Sequence, residues 1–220
     1  MNKKYIVLDL DSTLVSSDED FKMFKQIVDN RKNNEYFLYD RVHDFLYINE
    51  KSSVPMWTLL RPYTREFIYF CLSYFDGVIL WSAGQKHYVH SIKNILFPTD
   101  ISQPFLVLTS DDTNFIKKSI INKPLTKVFE QLKTATPQNT LVVDDRSDTF
   151  SLNHHNGILI PKFEPNDLHE INKDDATLLQ LMGWLCTPEV LNCTDYRTLD
   201  KSKIFNISVE EYATRINKIT

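Results

Sequence analysis

The chain has 220 residues and a formal net charge of −4, which disfavours a protein held to nucleic acid mainly by its overall charge. Its 42% hydrophobic and 25% charged residues are typical of a soluble globular protein, and its length is enough for one full hydrophobic core. No apolar run approaches the length of a membrane span, and the first strand begins so close to Met1 that we expect no secretion signal. We therefore expect a soluble intracellular protein, in the nucleus or the cytoplasm, with reduced thiols at Cys71, Cys186 and Cys193.

The first predicted element is a buried strand, Tyr5 to Leu8, which runs directly into two carboxylates at Asp9 and Asp11. Consecutive apolar residues leave no face for water, as in a central parallel strand that is covered on both sides. Ligands of open α/β sheets bind at the carboxyl edge, where Asp9 would emerge. The alternative is an ordinary turn, because Asp and Ser are also common turn formers.

A small insertion is predicted after this strand, over residues 16–60. Its sequence indicates a short helix from Phe21 to Val28, followed by a β-hairpin made of Tyr36 to Ile48 and Val54 to Leu60. Five aromatic residues of the hairpin could either line a groove for a peptide or pack the hairpin onto the core: Tyr36, Phe37, Tyr39, Phe45 and Tyr47.

The rest of the chain alternates strands with helices, which predicts a parallel sheet with right-handed crossovers and helices packed against it. The expected strands are Val78 to Trp81, Phe105 to Leu108, Thr140 to Val143 and Ile158 to Ile160. The first helix expected after the insertion begins at Thr64, which we predict as its N-cap. Further helices are expected at His87 to Leu96, Pro124 to Lys133 and Ala176 to Leu185.

The predicted domain covers residues 1–190, and residues 191–220 are predicted to be an extension that packs on it. In this extension we expect an edge strand from Ile204 to Ile207 and a closing helix from Val209 to Ile216.

Three of the predicted strands are followed directly by a polar residue that could take part in chemistry: Asp9, Ser82 and Asp144. Phosphoryl transfer needs an in-line nucleophile, neutralisation of the phosphate charge and a proton for the leaving oxygen. We predict Asp9 as the nucleophile that forms an aspartyl-phosphate, and Asp11 as the acid and base. Thr13 is expected to hold Asp11 through its hydroxyl group.

The remaining site residues are predicted to bind phosphate and metal. Ser82 offers a hydroxyl group to a phosphate oxygen, and Lys123 supplies a compensating positive charge. Neither residue is informative alone, since most serines at such positions are ordinary loop residues and most lysines lie on the surface. Neighbouring carboxylates repel each other, so we expect a Mg²⁺ ion held by Asp9 together with Asp145 or Asp144.

These residues carry a resemblance to the haloacid dehalogenase superfamily, and within it to the CTD phosphatase-like branch, also called NLI-interacting-factor-like or small CTD phosphatases. Asp9-Leu10-Asp11-Ser12-Thr13 resembles the first motif of the superfamily. The resemblance covers roughly Lys3 to Leu185. Its later motifs are Leu60-Arg61-Pro62-Tyr63, Trp81-Ser82-Ala83-Gly84, Asn122-Lys123-Pro124-Leu125 and Val142-Val143-Asp144-Asp145.

The resemblance implies a Rossmannoid parallel sheet with a small hairpin insertion and no large cap. It also implies that the metal ligands are Asp9, the backbone carbonyl of Asp11, and Asp145, with Asp144 as a supporting residue and second choice. There are three departures from the family pattern, of which the first hardly affects the chemistry and the other two bear on substrate choice. Ser12 replaces the usual Glu, Arg146 stands where Ser is usual, and the arginine that some members use beside the phosphate is missing near Thr109.

The implied enzyme is a phosphoric monoester hydrolase, a Mg²⁺-dependent protein serine/threonine phosphatase similar to those acting on the RNA polymerase II tail. In the superfamily a large lid encloses small metabolites, whereas a small insertion leaves the site open to a phosphorylated peptide or protein. One alternative is a phosphatase for small molecules or polynucleotide ends. The other is a non-catalytic binding module on the same fold.

Overall fold

The computed structural model describes residues 3–30, 41–48, 53–117 and 120–217. Over these ranges, the helices are all too short or too polar to cross a lipid bilayer. In chain order, the strands are β1 (Tyr5–Leu8), β2 (Val15–Asp18), β3 (Val42–Ile48), β4 (Ser53–Leu60), β5 (Gly77–Trp81), β6 (Leu106–Leu108), β7 (Asn114–Lys117), β8 (Ile120–Asn122), β9 (Thr140–Asp144) and β10 (Gly157–Leu159). The helices are α1 (Phe21–Asn30), α2 (Thr64–Tyr74), α3 (Lys86–Leu96), α4 (Thr126–Gln131), α5 (Leu168–Asn172), α6 (Thr177–Leu185), α7 (Pro188–Leu191) and α8 (Val209–Asn217).

The centre of the molecule is a five-stranded parallel sheet in the order β10-β9-β1-β5-β6. Strand β1 lies in the middle, with Ile6 opposite Val78 of β5 and Leu141 of β9. Because side chains alternate between the faces of a sheet, Ile6 joins one hydrophobic core and Val7 joins the other. Both faces of β1 are therefore buried, which confirms the predicted α/β fold with a central parallel sheet.

Helices cover both faces of this sheet. Helices α2, α3, α6 and α8 contribute Phe67, Val89, Leu181 and Tyr212 to the core beneath Ile6, and α4 contributes Val128 to the opposite core. Tyr212 is 1% exposed, so the C-terminal segment shares the main core rather than extending into solvent.

The insertion after β1 forms a three-stranded antiparallel sheet in the order β2-β4-β3. Strands β3 and β4 are the predicted hairpin, whereas β2 was not anticipated, since its Ser and Asp residues lack a strand-like apolar pattern. Tyr36, Phe37 and Tyr39 lie outside the described residues. Hairpin β7–β8 and helix α5 were also missed by the sequence pattern.

Two local predictions were wrong because tertiary contacts decided the backbone. Tyr63, with φ of 64°, is the N-cap of α2, and the hydroxyl group of Thr64 instead donates to the carbonyl of Leu14 at 3.1 Å. The expected strand from Ile204 to Ile207 contains a short 3₁₀ turn, Ile204–Asn206. Its Ile204 side chain is buried in the core, and the amide of Gln180 donates to the carbonyls of Phe205 and Ile207.

Candidate active site

The carboxyl ends of the central strands converge on a cavity of about 350 Å³. Asp9 follows β1 and Asp144 ends β9, so the parallel order of these neighbouring strands brings the two carboxylates together. Lys123 follows β8, and its ammonium group enters the same cavity. The charged side chains of the cavity are Asp9, Asp11, Lys123, Asp144, Asp145, Arg146, Lys162 and Glu164.

Lys123 bridges the two buried carboxylates. Its Nζ atom donates to Asp9 Oδ1 at 2.5 Å and to Asp144 Oδ2 at 2.7 Å, and the residue is only 4% exposed. Burial by itself lowers the pKa of Lys123, but the charges of Asp9 and Asp144 outweigh it and raise this pKa. The lysine predicted to balance negative charge is therefore held as a cation inside the site.

The carboxyl group of Asp9 is buried beside other acids. Burial and then the charge of Asp144 raise the pKa of Asp9, while the ammonium group of Lys123 opposes this rise. Three carboxylates, those of Asp9, Asp144 and Asp145, offer oxygen atoms that all lie within 4.8 Å of one another. Such a set of hard oxygen ligands fits Mg²⁺, and a cation among them would favour the ionised form of Asp9.

Asp144 and Asp145 differ in how their oxygens are used. Both oxygens of Asp144 accept hydrogen bonds, Oδ2 from Lys123 and Oδ1 from the backbone N–H of Arg146 at 2.9 Å. Asp145 is half-buried and faces the cavity. Burial, together with the charge of Asp144, raises the pKa of Asp145.

Asp11 lies next to Asp9 and accepts hydrogen bonds on both oxygens. Ser82 donates to Asp11 Oδ2 at 3.1 Å, and the hydroxyl group of Tyr88 donates to Oδ1. Burial raises the pKa of Asp11, and the hydrogen bonds from Tyr88 and Ser82 oppose this rise. Ser82 also accepts from the N–H of Gly84 at 2.9 Å, so its hydroxyl group connects Asp11 to the loop after β5.

The loop that carries Asp11 is held from several directions. Thr13 was expected to hold Asp11, and the partner in the structure is the backbone N–H of Asp145, which donates to Thr13 Oγ1 at 3.1 Å. This bond connects the loop after β1 to the loop after β9. Ser12 sits at φ of 61°, a conformation that costs energy for a residue with a side chain.

Arg61 also holds the loop after β1, through the carbonyl of Thr13. It is 1% exposed, and it donates to the carbonyls of Thr13 at 3.2 Å and Pro161 at 2.8 Å. Its Nε atom also pairs with Asp175 Oδ2 at 2.9 Å. The motif Leu60-Arg61-Pro62-Tyr63 therefore supports the loop after β1.

Sequence reasoning missed three side chains around the site. Tyr88 was given no role by the sequence, although its place in the first turn of α3 brings it close to the loop after β5. Lys162 and Glu164 follow β10 and line the cavity. They form an ion pair at 2.8 Å, and Ser12 donates to Glu164 at 2.9 Å. The signal that could have found them is their position after the last strand of the sheet.

Two of the five aromatic residues predicted to line a groove or to pack, Phe45 and Tyr47, are described, and both lie near the start of α3. The ring of Phe45 is 6.2 Å from that of Tyr88, and the hydroxyl group of Tyr47 donates to Gln85. Both rings also pack against the main core. The contacts of these two residues therefore favour packing over the alternative of an open peptide groove.

A model of the NLI interacting factor-like phosphatase family matches residues 4–197 of the chain. The chain belongs to this family. Among its relatives, the putative CTD phosphatase-like protein 355R of Invertebrate iridescent virus 3 is 30% identical in an alignment 196 residues long, which covers 84% of this chain and 96% of the viral protein. Ubiquitin-like domain-containing CTD phosphatase 1 of Drosophila melanogaster is 24% identical over 191 residues, or 84% of this chain and 58% of the relative.

Two solved structures are similar to this chain in fold. A variant of the fission yeast RNA polymerase II CTD phosphatase Fcp1 bound to beryllium fluoride has a TM-score of 0.60 at 20% identity, over 82% of this chain and 49% of that one. A second Fcp1 structure has a TM-score of 0.58 at 19% identity, over 99% of this chain and 62% of that one. The chain thus spans about half to three fifths of the length of these Fcp1 chains.

Proposed function

We propose that the protein is a Mg²⁺-dependent phosphoric monoester hydrolase that forms an aspartyl-phosphate on Asp9. The observation that carries the proposal is the group of Asp9, Asp11 and Lys123 in one cavity at the carboxyl edge of the sheet. The carboxylate of Asp9 attacks phosphorus, and the bond from phosphorus to the ester oxygen breaks. Lys123 lowers the charge repulsion between this carboxylate and an incoming phosphate.

Asp11 acts as the acid and base in this proposal. Its carboxyl group gives a proton to the ester oxygen as the alcohol leaves, and the resulting carboxylate then takes a proton from the water that hydrolyses the aspartyl-phosphate. Ser82 and Tyr88 support this role because they fix both oxygens of the carboxyl group. In this structure the single proton of the Ser82 hydroxyl group is donated to Asp11, so the proposed contact with a phosphate oxygen requires that proton to turn from Asp11 to the phosphate.

The metal ligands in the proposal are Asp9, the backbone carbonyl of Asp11, and Asp145. Asp145 is preferred to Asp144 because both oxygens of Asp144 already accept hydrogen bonds. When bound, Mg²⁺ supplies charge neutralisation for the phosphate oxygens and the neighbouring carboxylates. Asp144 then has the separate role of orienting Lys123.

The proposed substrate is a protein or peptide phosphorylated on serine or threonine. Two relatives support this, since their names describe CTD phosphatases. The small insertion supports it as well, because the part of it that the structure describes consists of one short helix, α1, and the sheet of β2, β3 and β4, which is smaller than a bulky helical lid. The tail of RNA polymerase II is a specific candidate, because Fcp1 is described as a phosphatase of that domain.

The test is hydrolysis of p-nitrophenyl phosphate and of phosphoserine peptides with Mg²⁺ or with a chelator. We expect Asp9→Asn to lower the wild-type rate by at least roughly 10³-fold. The matched control is Asp76→Asn, at the amino edge of the sheet, where the carboxylate accepts from the N–H of Lys4 at 2.8 Å. This control should keep wild-type activity.

Two further measurements separate the parts of the proposal. Inhibition by beryllium trifluoride is expected if an aspartyl-phosphate forms on Asp9. Activity that survives Asp9→Asn would refute the nucleophile assignment. A strong preference for small esters over phosphopeptides would instead refute the proposed substrate class and leave the phosphatase activity intact.

A further inference from the structure

The hydroxyl group of Tyr88 lies between the proposed acid and the insertion sheet. It is within hydrogen-bond distance of Asp11 Oδ1 on one side and of Ser17 Oγ, at 2.9 Å, on the other. The residue is 9% exposed, and its ring packs in the main core beside Phe45. Its position is therefore set by packing, which leaves rotation of the hydroxyl proton as its main freedom.

One hydroxyl proton can be donated to only one partner at a time. In this structure that proton points at Asp11 Oδ1, while Ser82 donates to Oδ2. The two donors together hold the plane of the Asp11 carboxyl group, and Ser17 Oγ lies 2.9 Å from the Tyr88 oxygen on its other side.

The insertion sheet continues this chain of hydroxyl groups. Ser17 of β2 donates to Thr58 Oγ1 of β4 at 2.9 Å, and Thr58 is fully buried. Ser17 is therefore fixed by the sheet on one side and contacts Tyr88 on the other. The position of the insertion sheet is in this way connected to Asp11 through two hydroxyl groups.

We propose that Tyr88 is a positioning residue that orients the Asp11 carboxyl group toward the leaving oxygen, and that Ser17 holds the Tyr88 hydroxyl group in place. The proposal rests on the phosphatase function proposed above. As the bond from Asp9 to phosphorus forms and the ester bond breaks, the proton of Asp11 moves to the ester oxygen.

If Tyr88 orients Asp11, the effect of removing its hydroxyl group on the rate of hydrolysis should depend on the leaving group of the ester. An alkyl alcohol leaves poorly as an anion and needs the proton from Asp11, whereas p-nitrophenolate leaves with little help. Two esters of similar size make the comparison, p-nitrobenzyl phosphate and p-nitrophenyl phosphate. Loss of the Tyr88 hydroxyl group should slow hydrolysis of the benzyl ester more than that of the phenyl ester, whereas a general loss of structure should slow both equally.

The experiment measures kcat and KM of both esters for wild type, Tyr88→Phe, Ser17→Ala and Tyr74→Phe. Tyr74→Phe is the matched control, because its hydroxyl group donates to the carbonyl of Leu185 at 2.9 Å, away from the cavity. We expect Tyr88→Phe to lower kcat for the benzyl ester about 10- to 100-fold and for the phenyl ester less than about threefold. Ser17→Ala should lower kcat for the benzyl ester, relative to kcat for the phenyl ester, by roughly two- to tenfold.

Tyr74→Phe should leave this ratio of kcat values unchanged. Equal losses on both esters in Tyr88→Phe would overturn the positioning role while leaving the phosphatase function in place. If Tyr88→Phe does not fold, an unchanged ratio in Ser17→Ala overturns the proposal. A wild-type protein that hydrolyses neither ester nor a phosphopeptide refutes the proposed function, and the positioning role with it.

Discussion

Replacement of Arg61 by Met should destabilise the protein strongly, because the guanidinium group of Arg61 holds three parts of the chain together. It pairs with Asp175 before α6, and it donates to the carbonyls of Thr13 and Pro161. The side chain of Arg61 is 1% exposed and that of Asp175 is 22% exposed, so water reaches this pair poorly. Met fills a similar volume but has no hydrogen to donate.

The expected loss follows from what remains after the substitution. Breaking a buried ion pair by removing one partner costs about 3–5 kcal/mol, because the other charge is left uncompensated. The carbonyls of Thr13 and Pro161 also lose a donor, which adds about 1–3 kcal/mol for each group that water does not reach. Because water still reaches Asp175, we reduce the contribution of the ion pair to about 2 kcal/mol and take each carbonyl at the low end of about 1 kcal/mol, so we expect a total loss of about 4 kcal/mol. For a chain of this size, that corresponds to a fall in Tm of roughly 8–16 °C.

Urea denaturation followed by fluorescence measures the free energy of unfolding of wild type and Arg61→Met. The control is Arg215→Met, which removes an exposed ion pair with Glu211 on α8 and should change the free energy of unfolding by less than about 0.5 kcal/mol. A double-mutant cycle with Asp175→Asn measures the pair itself. A loss below about 1 kcal/mol for Arg61→Met would refute the conclusion that Arg61 anchors the loop after β1.

Two other predictions concern the metal and the sheet. Mg²⁺ at about 100 times its Kd should stabilise the wild-type protein by about 2.7 kcal/mol in thermal denaturation, and Asp145→Asn should lose most of this effect. Equal stabilisation of both proteins would exclude Asp145 as a ligand. Gly157→Ala should destabilise by about 1–3 kcal/mol, because a Cβ atom at Gly157 would overlap the ring of Phe150. A denaturation midpoint equal to that of wild type would show that this ring has room to move.

The parallel sheet could be predicted because its strands carry a local signal. Consecutive apolar residues in β1, β5 and β9 are required wherever a strand is buried on both faces. Asp9 and Asp144 could be assigned to one edge of the sheet, since each follows or ends a predicted strand and the carboxyl ends of parallel strands lie together. The placement of these two carboxylates in one cavity needed only strand order and direction.

The partners of individual polar atoms could not be predicted in this way. Thr13 binds the backbone of Asp145, and Tyr88 binds Asp11, across separations of 132 and 77 residues. The strand expected at Ile204 is a turn for a similar reason, because the amide of Gln180 satisfies carbonyls that a sheet would otherwise have paired.

The sequence by itself determined the sheet, the acids at its carboxyl edge and the family resemblance. Only the packed tertiary structure shows which oxygen faces which donor: both oxygens of Asp144 accept hydrogen bonds, and the hydroxyl group of Tyr88 lies against Asp11. The physical reason is the distance along the chain over which each signal acts. Hydrophobic periodicity is a property of neighbouring residues, whereas a hydrogen bond depends on positions within a few tenths of an ångström that only the packed chain establishes.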